Sequence, residues 1–278
     1  MDPSSPTFER LLSAIHGCDI VDLSTDVAWH ADGPFKTNVE VLEPLPGARF
    51  FVERVLPKVM PEAVGRLSAE DFPAGAFLRH ELVTASVHAG SHIDAPGHYG
   101  PGVSEADASF INGAPLEPFI APGVFYDASH VPGDVIRRKD LDAIARARRI
   151  GDVAGKIVLI RTGSNKALAA DVVEAFLDAQ VSVIGMDNES FDGGFRPMIE
   201  RFLTTSDRAE LWPCHMLGRR RPYYQIERLG GLERLPPTGF LVIAFPVLID
   251  GATAAWTRAV ALVPRVATAA AGAASHSS

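Results

Sequence analysis

Cysteine is nearly absent from this 278-residue chain. Its two copies, Cys18 and Cys214, stand far apart with no CxxC pair, so neither a disulfide framework nor a thiolate-rich zinc site is supported. Basic residues are outnumbered, with 26 Lys and Arg against 34 Asp and Glu and a formal net charge of −8. That balance argues against a dedicated nucleic-acid binder. The local run Arg219-Arg220-Arg221 reads as a solvated turn, with contact to an anion as the alternative. No run reaches the roughly 18 consecutive apolar residues of a membrane span. The opening MDPSSPTFERLL has an acidic residue at position 2 and no long apolar stretch, unlike a signal peptide. A cytoplasmic protein with no membrane or nucleic-acid partner is therefore expected. Nucleotide fingerprints are missing too: no GxGxxG or GxxxxGK[ST] follows an expected strand, and DGGF at Asp192–Phe195 reads only as a turn.

What is present is enough apolar material, 47% of residues, for one substantial core. Glu9 to Ile15 reads as a short helix and Cys18–Ser24 as a strand. Ala48–Leu56, ARFFVERVL, alternates imperfectly and reads as a second strand, and Phe77–Val87 is again strand-like. Gly123–Ser129, Lys156–Gly163 and Val181–Asp187 read as strands, with helices over Lys139–Arg148 and Ala167–Ala179 between them. This alternation of helix period and buried apolar runs indicates α/β layering. Ala209 to His215 suits a segment lying across the structure outside the central sheet. Pro222–Leu229, Gly239–Ile249 and Arg258–Val263 supply the last strands. With no linker and no repeat, one mixed α/β domain over residues 1–266 is expected. The remainder, 267–278, lacks large apolar side chains and reads as a disordered tail.

The densest chemistry lies at residues 86–100, SVHAGSHIDAPGHYG, which place His88, His92, Asp94 and His98 at separations of four, two and four. Even spacing would project all four from one face of a straight strand. At ~3.3 Å per residue, however, His88 and His92 would then stand about 13 Å apart, too far to share an ion. The chain must fold back at Ala89-Gly90-Ser91, by a tight turn or by one helical turn. Pro96-Gly97 then reorients His98 independently. Two imidazoles and a carboxylate facing one ion is the expected geometry. Asp94 has two oxygens and can bridge two cations. His98 is either a further ligand or a group that transfers protons near neutral pH.

This segment resembles HxGTHxDxPxH, the signature of the metal-dependent cyclase superfamily, which includes bacterial kynurenine formamidases and isatin hydrolases. Ser91 stands where threonine is common and keeps the hydroxyl. The resemblance continues through DLS at Asp22–Ser24, VLIRTG at Val158–Gly163, IGMD at Ile184–Asp187, and the late IERL and RAVAL segments. It implies a swivelling β/β/α fold with a mixed central sheet, and an enzyme using one or two Zn²⁺ or Mn²⁺ ions to hydrolyse a small amide. On that pattern His88, His92 and Asp94 hold one ion, and Asp94 with His215 of WPCHML and Glu227 of IERL hold the second. His98 falls at the proton-transfer position. Arg228 departs from the family, which commonly has a smaller residue after the glutamate. Ala255-Trp256 replaces a usual Ser-Pro, making Trp256 a candidate aromatic wall for substrate, and Trp29 is a second candidate. An arylformamide such as N-formylkynurenine is the nominal small-molecule substrate. Alternatives are a lactam, cyclic imide or lactone, or a metal-binding protein without turnover. A homodimer or higher homo-oligomer is also implied.

Overall fold

A computed structural model describes residues 6–28, 37–100 and 110–265. The tail expected to be disordered, 267–278, lies outside the described residues, as does Trp29. The chain divides into two compact units, one made of Met1–Asp26 and Gly90–Ser278, the other of Val27–Ala89.

In chain order the first unit opens with α1 (Pro6–His16) and β1 (Cys18–Asp22). The second unit holds β2 (Asn38–Leu42), α2 (Pro44–Phe50), α3 (Leu56–Val59) and β3 (His80–Thr84). Returning to the first unit, the chain forms β4 (His92–Asp94), β5 (Ile120–Asp127), β6 (Val135–Ile136) and α4 (Arg138–Arg148). Next come β7 (Ile157–Arg161), β8 (Ala167–Leu168), α5 (Ala170–Asp178) and β9 (Val183–Met186). The unit closes with α6 (Phe195–Thr205), α7 (Pro213–Gly218), β10 (Tyr224–Glu227), β11 (Phe240–Ile243), β12 (Ala254–Trp256) and β13 (Val260–Pro264).

Nine strands of the first unit form one sheet in the order β1-β13-β11-β5-β7-β9-β10-β4-β12. Its centre, β5-β7-β9-β10, is parallel, and antiparallel strands flank it on both sides. The fold is thus α/β with a mixed central sheet and peripheral helices, the β/β/α architecture expected from the sequence. The near-continuous apolar runs of β7 and β9 have a physical reason, because a central parallel strand is covered on both faces. Ile157, Leu159 and Val183 enter one core, with Ile93, Ile226 and Ala255. Val158, Ile160, Ile184 and Met186 enter the other, with Val172, Val173 and Phe176 of α5 and Leu141 of α4. The α4 helix starts where the Asp140 carboxylate accepts the Arg137 N–H at 2.9 Å, and ends at Arg149 with φ 55°.

In the smaller unit the strand expected over Ala48–Leu56 is instead helical, with α2 running through a π turn at Phe51–Val55 into α3. Its β-favouring composition is overridden by position. Pro44 supplies a preset first turn. Burial recurs at Gly47-Ala48, Phe51-Val52 and Val55-Leu56, a helical period. Phe51 then meets Phe72 and Phe77 at ring separations of 5.8 and 5.0 Å. The basic run in the larger unit is not simply solvated. Arg219 Nε donates to the Tyr99 carbonyl, and Arg221 pairs with Asp178 at 2.7 Å.

Candidate metal centre

The three-residue strand β4 lies between β10 and β12, and its registers build the centre. His92 stands opposite Glu227 on one side and Trp256 on the other; Asp94 stands opposite Gln225 and Ala254. Directly paired residues of antiparallel strands share a face. His92, Glu227 and Trp256 therefore form one row across three strands, with Asp94 and Gln225 in the next. Ile93 takes the opposite face into the core. Alternation thus buries an apolar anchor between two polar side chains, so a one-residue slip would exchange the site for the core.

Distances confirm the convergence. His92 Nε2 lies 3.3 Å from Glu227 Oε2 and 3.6 Å from Asp94 Oδ1. His98, on the turn at Pro96–Tyr99, brings Nε2 to 3.9 Å from Asp94 Oδ2. His215, in the first turns of α7, brings Nε2 to 3.9 Å from Glu227 Oε1. Asp94, His98 and His215 each offer a ligand atom, all within 4.8 Å of one another. His92 and Asp94 are fully buried and His215 and Glu227 nearly so, while the His98 side chain keeps 29% of its exposure.

Both buried imidazoles are held through Nδ1. For His92 the partner is the Gly90 carbonyl at 2.9 Å, and for His215 it is Asp192 Oδ2 at 2.5 Å. Occupying Nδ1 directs Nε2 inward, the usual arrangement behind a ligating histidine. Asp192 was missed in the sequence, where it stood in a segment read only as a turn. Its carboxylate also accepts the Cys214 N–H at 2.7 Å. Cys214 itself turns away, donating its thiol to the Leu168 carbonyl, and burial pushes that thiol well above its ordinary value.

The electrostatics favour a cation. Burial opposes charge on His215, yet hydrogen bonding to Asp192 and the nearby Glu227 outweigh it and raise the imidazole to about 9. His92 is raised in the same way, burial opposing while Asp94 and Glu227 prevail. Glu227 is raised by burial and by Asp94, against the opposite pull of His92. Carboxylates that raise neighbouring buried imidazoles are themselves in need of positive charge to offset desolvation, and a divalent ion would supply it. The donor set is nitrogen and oxygen without thiolate, which fits a zinc- or manganese-type ion.

His88 belongs to the smaller unit, in the turn before Gly90. Its N–H donates to Ser86 Oγ at 3.2 Å. Gly90 has φ 66°, a left-handed value, so the chain turns between His88 and His92 as the spacing requires. Ser91 uses its hydroxyl twice, accepting the Thr25 N–H at 2.7 Å and donating to the Arg228 carbonyl at 2.6 Å. Arg228 itself has φ 58°, which explains why a smaller residue suits this position.

A family profile described as Putative cyclase matches residues 12–193. The chain belongs to this cyclase family. Among its curated relatives, the kynurenine formamidase of Sphingopyxis alaskensis is 31% identical over 186 residues, covering 63% of this chain and 76% of that protein. The isatin hydrolase of Roseibium aggregatum is 25% identical over 219 residues, covering 69% and 77%. Among solved structures, isatin hydrolase A from Ralstonia solanacearum has a TM-score of 0.69 at 21% identity, covering 94% of this chain and 98% of that one. Isatin hydrolase A from Labrenzia aggregata, bound to benzyl benzoate, has a TM-score of 0.67 at 19% identity, covering 93% and 100%. At such identities these structures speak for the cyclase fold alone.

Proposed function

We propose that the protein is a metal-dependent hydrolase that opens the C–N bond of a small cyclic amide, of the lactam class. The observation that carries this is the convergence of His92, Asp94, His98, His215 and Glu227 on one buried point. Membership of the cyclase family supports it. The preference for a ring substrate is supported by the match to an isatin hydrolase, which runs over 219 residues against 186 for the formamidase. Arylformamide hydrolysis, with N-formylkynurenine as the test case, is the second reading, favoured by the 31% identity to a kynurenine formamidase.

In this reading His88, His92 and Asp94 hold one ion, and Asp94, His215 and Glu227 hold a second where two are bound. A divalent ion there supplies Lewis acidity toward a carbonyl and lowers the pKa of water. His98 is the proton-transfer group, since it reaches Asp94 while its side chain keeps 29% of its exposure. Trp256, in register beside His92, forms an aromatic wall for a planar substrate, with Trp29 as a second substrate contact. The protein acts as a homodimer. Zinc or manganese is the resident metal.

Elemental analysis of purified protein, combined with a panel of isatin, N-formylkynurenine, a cyclic imide and a lactone in Zn²⁺ or Mn²⁺, tests this reading. Lactam turnover exceeding formamide turnover is expected. Asp94→Ala should lose metal and activity together, whereas His98→Ala should retain most of the metal and lose about 10²–10⁴-fold in turnover. Full activity in metal-free Asp94→Ala protein would sink the scheme. Metal binding without turnover of any panel member would favour a non-catalytic metal-binding protein.

A further inference from the structure

We propose that Asp192 is a positioning residue that locks the His215 imidazole with Nε2 facing the centre, and thereby sets metal affinity there. The proposal rests on the reading of His215 as a metal donor.

One carboxylate performs two tasks. Asp192 Oδ1 accepts the Cys214 N–H at 2.7 Å; Oδ2 lies 2.5 Å from His215 Nδ1 and 3.5 Å from its backbone nitrogen. The main chain at the start of α7 and the ring it carries are therefore tied to the same group. The helix has little else at this end. Its N-cap residue, Trp212, has φ 50° and makes no side-chain cap, and Pro213 has no N–H to offer. A loop residue more than twenty positions earlier thus caps α7 from outside and orients its functional side chain.

Rotation of that ring is further limited by its flanks. Tyr99 meets it edge-on at a centroid distance of 5.6 Å, and His98 lies at 5.6 Å on another side. With Nδ1 held and the ring confined, Nε2 points toward Glu227 and the Asp94 cluster. His92 is oriented differently, by the neutral Gly90 carbonyl. His215 is backed by a carboxylate, which is 1% exposed and so acts with little solvent screening. A carboxylate in that place both fixes the tautomer and raises ligand basicity.

The test is a double-mutant cycle over Asp192→Asn, His215→Ala and the pair, read as Zn²⁺ and Co²⁺ affinity by chelator competition. The visible spectrum of the Co²⁺ form and circular dichroism accompany each variant. Asp192→Asn is expected to lower affinity 10–100-fold and alter the Co²⁺ spectrum while leaving the fold intact. In the His215→Ala background the same change should have no further effect. Equal losses in both backgrounds, or wild-type affinity in Asp192→Asn, would overturn the positioning role. Should Asp192→Asn not fold, Asp192→Glu runs the same cycle, because it keeps the charge but displaces the oxygens. A parent protein that binds neither ion overturns the metal reading itself, an outcome distinct from either of these.

Discussion

A single hydroxyl joins three segments that are distant in sequence. Ser91 Oγ accepts from the Thr25 N–H and donates to the Arg228 carbonyl, so it ties the residue before His92 to the residue after Glu227. Serine and threonine both supply that group, which is why the exchange from the family pattern is tolerated. Ser91→Ala should cost about 1 kcal/mol, near the low end for a lost buried partner. The cost stays low because the Arg228 carbonyl also accepts from Thr25 Oγ1 at 2.8 Å. Ser91→Thr should be close to neutral. Urea unfolding of the three proteins checks both statements, and equal midpoints for Ser91→Ala and the parent would contradict them. The chemistry-bearing residues were legible at this scale because His88, His92, Asp94 and His98 lie within eleven positions. Asp192 was not, since nothing in DGGF announces that its carboxylate reaches a helix more than twenty residues onward.

At the scale of elements, the parallel strands β5, β7 and β9 were readable because each is an apolar run bounded by turns, and α4 and α5 because each holds a clear amphipathic period. The elements that carry the site were harder to read. β4 and β12 have three residues each, too few to establish an alternation, and exist because β10 and each other's backbones complete their ladders. α7 has six residues and an external cap, so its sequence alone lacks a start signal. Its placement depends on one close approach. A Cβ on Gly218 would fall 2.3 Å from Tyr99 Cδ2, and that ring is buried, stacked on Tyr223 and hydrogen-bonded through its hydroxyl to the Tyr223 carbonyl at 3.1 Å. Gly218→Ala must therefore shift the helix or the ring, at about 1–3 kcal/mol. Because α7 carries His215, metal affinity should fall with stability. Unfolding midpoints measured beside Zn²⁺ titrations distinguish this from overpacking that leaves affinity untouched.

At the scale of the whole molecule, the larger unit explains why so much chain serves so few reactive atoms. The proposed donors are spread over four elements, with His92 and Asp94 on β4, His98 on the turn after it, His215 on α7 and Glu227 on β10, and the sheet order sets β4 beside β10. The smaller unit poses a different physical question. Its β2–β3 ribbon is exposed along nearly all its length. Val39 and Val83 are directly paired, and Val41 lies two residues along the same face. All three are more than 40% exposed. A two-stranded ribbon with an uncovered apolar face is marginal in water, and a contiguous exposed apolar patch is a common mark of an association surface. A second copy of the chain is the occupant consistent with the proposed homodimer. Replacing Val39 and Val83 by lysine places two like charges opposite one another on that face, which opposes self-association and leaves the nine-stranded sheet unaltered. Light scattering coupled to size exclusion should show a dimer for the parent and a monomer for the double variant. A parent that elutes as a monomer at micromolar concentration, or a double variant that remains dimeric, would remove this ribbon as the association surface.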